Sequence, residues 1–257
     1  MSFAFLTVIG IALIFLSTAL GASVVFFFKG ELSPKITAVF FGFASGVMLA
    51  ASIWSLIIPA LTSLFDAWGG LAFLPVAISL LLGGVFLTLL DKIAKRLKTA
   101  KDDKHNKANR LFCAVTLHNI PEGLAVGFAF GVASALGVTG TYITAFALAV
   151  GVAFQNLPEG TAVALPMKTA LKSNKKAFFW GVGSGAVEPI FAVIGYYLAT
   201  ALRFLQPWLL GFSAGAMIFV TVDDLLPDTK TGARSSVGAW SFLLGFIIMM
   251  ALDTALG

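Results

Sequence analysis

The sequence is poor in cysteine and poor in charge. Its single cysteine, Cys113, rules out an internal disulfide and any CxxC metal or redox site, and leaves the redox compartment open. Charged side chains make up 11% of the 257 residues, against about 25% in an ordinary soluble domain. Hydrophobic residues reach 59% and the mean hydropathy is +0.97. A soluble fold of this size lacks the polar surface to cover so much apolar area, so the solvent is lipid. That excludes most soluble enzymes and DNA-binding modules. The net charge of +5 does not restore a nucleic-acid partner, because membrane proteins gather Lys and Arg in cytoplasmic loops. Also missing are GxxxxGK[ST], the phosphate cradle of an ATP-driven pump, and HExxH, the helix of a zinc protease.

What is present is a series of long apolar runs. Eight of them, at about 3–28, 36–64, 71–90, 111–134, 138–166, 176–202, 207–227 and 236–256, approach or exceed the ~20 residues that cross a bilayer as a helix. The reading is an all-α membrane protein, 1–257 forming one transmembrane domain. The first run has no positive n-region and no evident cleavage site, and reads as a permanent span. The only sizeable polar segment, 91–110, reads as a flexible cytoplasmic loop. Alternate loops carry two, eight, four and two Lys or Arg, while the opposite set holds Arg203 alone. Positive charge stays in the cytoplasm, so both termini are expected outside a plasma or bacterial inner membrane. Trp68, Trp180, Trp208 and Trp240 fall near run ends, as interfacial anchors do.

Carboxylates at bilayer depth carry the functional signal. Glu122, Glu159, Glu188, Asp223 and Asp224 lie inside apolar runs, while Asp91, Asp228 and Asp253 sit at run edges and carry none. Five acids facing lipid would cost roughly 12–17 kcal/mol. No Lys or Arg lies inside the fourth to seventh runs to pair with them, Lys176 standing at one end of the sixth. A mobile cation is the simplest missing partner. Protonated, structural carboxyls are the alternative, weightier for Asp223 and Asp224 near the cytoplasmic end.

The acids also form a pattern. The fourth run reads His118-Asn119-Ile120-Pro121-Glu122-Gly123 and the fifth Gln155-Asn156-Leu157-Pro158-Glu159-Gly160. On a helix, positions i, i+1 and i+4 share a side. Two such helices face to face offer one imidazole, three amide oxygens and two carboxylates, a set suited to Zn²⁺ and other first-row divalent ions. Pro121 and Pro158 remove backbone donors, and the freed carbonyls are tolerated at that depth beside a polar cavity. Gly123, Gly127 and Gly131, with Gly42/Gly46, Gly181/Gly185 and Gly211/Gly215, read as helix-packing positions.

HNIPEG followed by QNLPEG in consecutive runs resembles the ZIP (Zrt/Irt-like) family of divalent metal transporters, most nearly its bacterial GufA-like branch. The likeness extends over the eight runs, the long third loop, Ser184 to Pro189 and Asp223 to Pro227. It implies a fold with runs one to three and six to eight as an inverted repeat around four and five, and a binuclear site. Its first metal position would use His118, Glu122, Gln155 and Glu159; its second Asn119, Glu122, Asn156, Glu159 and Glu188. Asp223 and Asp224 match a cytoplasmic exit position. Gln155 and Asn156 stand where many members have His and some have Asp, which implies broader selectivity and a looser second position. The resemblance implies a homodimer, which nothing in the residues requires.

The expected function is uptake of divalent metal, zinc first and iron, manganese, cadmium or cobalt next, by a protein that is no enzyme and carries no prosthetic group. The rivals are a proton-coupled carrier of a small organic substrate and an intramembrane metalloenzyme.

Overall fold

The computed structural model describes residues 3–28, 33–96, 103–199, 201–230 and 236–256, and among these every regular element is helical. Helix α1 (Phe3–Ala22) continues as a 3-10 turn to Phe26. Helices α2 (Pro34–Ala51) and α3 (Ile58–Trp68) are halves of one apolar stretch joined by a π-helical turn, Ser52–Ile57. Then come α4 (Phe73–Arg96), α5 (Asp103–Leu136) and α6 (Thr139–Leu171). Helices α7 (Asn174–Gly185) and α8 (Val187–Leu198) meet at Ala186, and α9 (Gln206–Val220) runs into a second π-helical turn, Thr221–Leu225, before α10 (Val237–Leu256). Seven of these stretches are long and apolar enough to cross a bilayer, while the apolar part of α4, Phe73–Leu89, is shorter. The chain is a multi-pass membrane protein, with Val8, Leu81, Phe179 and Tyr197 among its large exposed apolar side chains.

The structure corrects several expectations. Helix α4 reaches Arg96 and α5 begins at Asp103, so the 91–110 segment is largely helical and not a flexible loop; 97–102 lie outside the described residues. The segment has no Gly or Pro to stop a helix and is rich in Lys, Arg and Ala, which favour one. Of the loop charges, Lys29, Lys98, Lys101 and Arg234 lie outside the described residues. Lys168, expected in a loop, is buried in the last turn of α6, where its Nζ donates to Phe28 O (2.5 Å) and Val25 O (3.3 Å). It thereby caps carbonyls at the end of the first span, as a cation does at a helix C-terminus. The sixth run breaks at Ala186, and the break puts Glu188 in the first turn of α8.

Four helix pairs dominate the packing: α1 with α6, α5 with α8, α2 with α10, and α4 with α9. Each is made by glycines that let backbone touch backbone. Gly123, Gly127 and Gly131 of α5 lie against Glu188, Ala192 and Tyr196 of α8, so both helices advance together, in parallel. Gly21 and Gly160 lock α1 to α6, Gly42 and Gly46 seat α2 on α10, and Gly83 and Gly215 join α4 to α9. The expectation that these glycines serve packing holds. Close contact of this kind drives association where water does not, since lipid offers no hydrophobic incentive.

Helices α2 and α9 are also alike in sequence: Gly42-Phe43-Ala44-Ser45-Gly46-Val47-Met48 matches Gly211-Phe212-Ser213-Ala214-Gly215-Ala216-Met217. Each segment leads into one of the two π-helical turns.

A Cβ placed on Gly127 would stand 1.8 Å from the carbonyl oxygen of Ala192, whereas one on Gly84 meets nothing closer than Phe219 at 3.6 Å. Gly127→Ala is expected to destabilise the purified protein by at least about 1–3 kcal/mol, and Gly84→Ala to change stability by no more than about 0.5 kcal/mol. Thermal unfolding in detergent, followed by loss of monodisperse protein, compares the two; equal midpoints would refute the backbone contact.

Candidate metal centre

Helices α5 and α6 pack side by side and carry the two motif copies. Both helices continue without a break through Pro121 and Pro158. His118, Asn119, Glu122, Gln155, Asn156, Glu159 and Glu188 are all buried, none more than 1% exposed. In a soluble protein such a cluster would be hydrogen-bonded or ion-paired throughout. Here it is not.

The Nδ1 of His118 faces the carbonyl oxygen of Ala114 at 3.2 Å. A carbonyl only accepts, so this contact assigns a proton to Nδ1, and in the neutral ring Nε2 keeps a lone pair. That Nε2 lies 3.2 Å from Glu159 Oε1 without hydrogen-bond geometry. Two electron-rich atoms at this separation need a cation or a proton between them. Glu122 stands on the same patch, and ligand atoms of His118, Glu122 and Glu159 lie within 4.8 Å of one another.

The amides are turned by their nitrogens. Gln155 Nε2 donates to Glu122 Oε1 (2.6 Å) and approaches Met217 Sδ at 3.9 Å. Asn119 Nδ2 donates to Ser184 O (3.0 Å), while Asn156 Nδ2 donates to Ile14 O (3.1 Å) and Glu188 Oε2 (2.6 Å). With the nitrogens occupied, Asn119 Oδ1 and Asn156 Oδ1 have no partner. Neither do His118 Nε2, Glu122 Oε2 and both oxygens of Glu159. Among the described residues only Ser213 Oγ and Asp253 Oδ2 share this condition, so six of the eight buried, unpartnered side-chain atoms belong to this one cluster. Every one of the six is a metal-ligand atom. Orphaned buried groups cost about 1–3 kcal/mol each, more when charged, and four of these six belong to His118, Glu122 and Glu159, whose ligand atoms lie within 4.8 Å of one another.

Of the expected site residues, the structure brings His118, Glu122 and Glu159 into direct reach, with Gln155 bonded to Glu122, and Asn119 and Asn156 beside them. Glu188 joins through Asn156. Asp223 and Asp224 do not belong to the three-residue cluster; they lie in the π-helical turn after α9, Asp223 exposed and Asp224 half-buried.

Three participants escaped the sequence reading. Thr18 of α1 donates to Glu188 Oε1 (3.3 Å), and the Ile14 carbonyl of the same helix accepts from Asn156. Small or polar residues at helical spacing on an otherwise apolar helix, Thr7, Gly10, Thr18 and Gly21 all buried, were the available hint. Asp253, read as signal-free, accepts from Ser55 Oγ (2.8 Å) and lines a cavity of about 450 Å³ with Trp54, Thr62 and Thr144. From that cavity Thr144, Leu148, Gly151 and Gln155 descend one face of α6 to the cluster, and Gly151 leaves space for Asp253 and Ser55 beside it.

Comparison with known proteins points to one family. The ZIP zinc transporter family model matches residues 108–253, which include both motif copies. Human zinc transporter ZIP11 is 30% identical, over 93% of this chain and 94% of its own length. Zinc transporter ZIPB of Bordetella bronchiseptica is 33% identical over 97% of this chain and 81% of its own length. Zinc transporter GufA of Myxococcus xanthus is 33% identical over 94% and 95%. Matched over more than half its length by the family model and nearly end to end by such relatives, the chain belongs to the ZIP zinc transporter family, with kin in its bacterial branch.

Proposed function

We propose that this protein carries Zn²⁺ into the cytoplasm through the buried cluster on α5 and α6, with Fe²⁺, Mn²⁺, Cd²⁺ and Co²⁺ within reach of the same donors. The observation that carries the reading is the set of six unpartnered ligand atoms contributed by His118, Asn119, Glu122, Asn156 and Glu159. One imidazole and several oxygens suit a borderline divalent ion, and two glutamates balance its charge. His118, Glu122, Gln155 and Glu159 form the first metal position. The second is looser, built on Asn119 and Asn156 with the two shared glutamates and Glu188. Gln155 and Glu122 exchange their mutual hydrogen bond for metal when the ion arrives. Asp223 and Asp224 serve release.

A carrier of an organic substrate would have no use for an imidazole lone pair aimed at a carboxylate with two amide oxygens beside it. A metalloenzyme would need an activated water at an open coordination position, which the donor set gives no reason to invoke. The ion moves without ATP, down its own gradient or coupled to another.

The chain crosses the membrane eight times, with both termini outside. The parallel registers support this count: α1 runs parallel to α6 and α5 to α8, which requires an odd number of crossings between partners and so counts α4 as a full span. Helices α2 and α9 are the matching members of an inverted repeat formed by the first three and last three spans. Their shared GFxxGxM segment supports it, as does the exchange of α2–α10 for α9–α4 and of α1–α6 for α8–α5. Such repeats suit alternating access around a fixed midplane site. The cavity at Ser55 and Asp253 is the outer approach, at the end of the bundle that holds the C-terminus.

Glu122→Gln and Glu159→Gln, each at matched surface expression, are expected to reduce zinc uptake more than tenfold, because each glutamate serves both metal positions. Near-normal uptake by either variant would remove these residues from the path.

Protons and metal compete for the same lone pairs. The KM for zinc is therefore expected to rise as external pH falls from 7.5 to 5.5, while a flat KM would count against ligation by His118.

Asn156→Asp exchanges a donor for a second carboxylate against Glu188 Oε2, now 2.6 Å from the amide nitrogen. The variant should melt lower than wild type in chelator and gain more from added zinc, with higher metal occupancy by calorimetry or elemental analysis. Equal melting and occupancy with and without zinc would place residue 156 outside the site.

A further inference from the structure

Glu188 differs from the other acids of the cluster. Glu122 has one oxygen without a partner and Glu159 has two, whereas both oxygens of Glu188 are held, Oε1 by Thr18 Oγ1 at 3.3 Å and Oε2 by Asn156 Nδ2 at 2.6 Å. The two donors that hold it share one feature: each also faces the carbonyl oxygen of Ile14. Asn156 Nδ2 donates there at 3.1 Å with its other hydrogen, and Thr18 Oγ1 lies 3.3 Å from it. Thr18 has a single hydrogen for two acceptors at equal distance, so it serves one of them at a time. A carbonyl oxygen has two lone pairs and can take both donors together.

We infer that Thr18 is a positioning residue that docks Glu188 reversibly, holding its carboxylate back from the ion and releasing it at little cost because the Ile14 carbonyl accepts the hydrogen Glu188 gives up. When Glu188 Oε1 turns to the metal, Asn156 keeps its bonds to Ile14 and to Glu188 Oε2, and the Thr18 hydroxyl swings to the Ile14 oxygen. No buried donor is left unsatisfied, and the penalty that would otherwise oppose the movement is absent. The inference rests on the transport reading above.

The packing around residue 18 fits this role. Thr18 is fully buried where three helices close on it. A Cβ on Gly160, beside the ligand Glu159, would lie 2.1 Å from the Thr18 carbonyl, and one on Gly185 would lie 2.8 Å from the Thr18 side chain. The hydroxyl is thus fixed relative to α6, which carries Asn156, and to α7, which leads into Glu188. Its small hinge of motion is the rotation of one O–H bond.

Without the hydroxyl, Glu188 loses one of its two holders and competes for the ion from the start. Thr18→Val, nearly the same shape, is therefore expected to bind zinc more tightly and pass it more slowly. In liposomes containing only the purified protein, KM for zinc influx should fall about fivefold and turnover should fall by a similar factor. Calorimetry in detergent should show the same gain in affinity. Thr18→Ser keeps the hydroxyl and should stay near wild type in all three measurements. Thr18→Ala, which cannot clash with the two glycines, repeats the test should the valine variant fail to fold. Unchanged KM and turnover, a lower turnover at unchanged KM, a raised KM, or a serine variant as impaired as valine would each overturn the positioning role. Absence of zinc influx with the wild-type protein would instead overturn the transport reading, and leaves a distinct signature because the variants would then be silent as well.

Discussion

Carboxylates stripped of water, with His118 as their one basic neighbour in the cluster, set the terms for the rest of this molecule. A buried charge must be paired, neutralised or solvated by dipoles. Among the described residues the one buried lysine, Lys168, is taken by two backbone carbonyls at the far end of α6 and is unavailable to the acids. The protein then supplies amide nitrogens to part of each site and leaves the rest open. Gln155 quiets one oxygen of Glu122, Asn156 one oxygen of Glu188, and Glu159 is left bare opposite His118. Electrostatic need is thereby concentrated in a volume a few ångströms across.

That concentration depends on backbone contact. Side chains two or three atoms long, such as those of Thr18 and Asn119, reach partners on other helices only if the helices nearly touch. Asn119 meets Ser184 O, and Thr161 meets Gly21 O at 2.8 Å. Glycines in register between α5 and α8, and between α1 and α6, provide that proximity. Packing and chemistry are not separable here. A methyl group added at Gly160 would strike the helix that carries Thr18 and Ile14.

The parts of this arrangement that were legible in the sequence are those with a local signature. His118, Asn119 and Glu122 are neighbours on one helix by spacing alone, and an acid in a lipid-soluble run stands out because it is costly. The apolar runs were legible for the same reason. What could not be read depends on partners far along the chain. Thr18 looks like any threonine in an apolar helix, and its meaning comes from Glu188, 170 positions away. Asp253 looked like an edge residue until Ser55 and Gly151 were placed beside it. The helical course of 91–96 and 103–110 was missed because polarity was read as loop, when the absence of Gly and Pro argued for helix. Asp223 and Asp224 stood out as acids in an apolar run, but their reading as an exit position came from the resemblance, and they lie outside the three-residue cluster.

The two π-helical turns act on the bundle as rotary joints. A π turn holds one residue more than an α turn, and one residue is about 100° of rotation around the axis. The stripe of small residues that α2 presents to α10 would, in an uninterrupted helix, continue along the same side into α3. Past Ser52–Ile57 it is turned, and α3 packs on α9 instead. A single apolar stretch thus serves two neighbours in succession, with Pro59 in the first turn of α3 just past the change. The matching turn at Thr221–Leu225 reorients the end of α9 in the same way, so Asp223 and Asp224 point where an unbroken helix would have carried other residues. Deleting one residue from either turn would leave composition and hydropathy almost untouched, yet rotate everything beyond it onto the wrong neighbour.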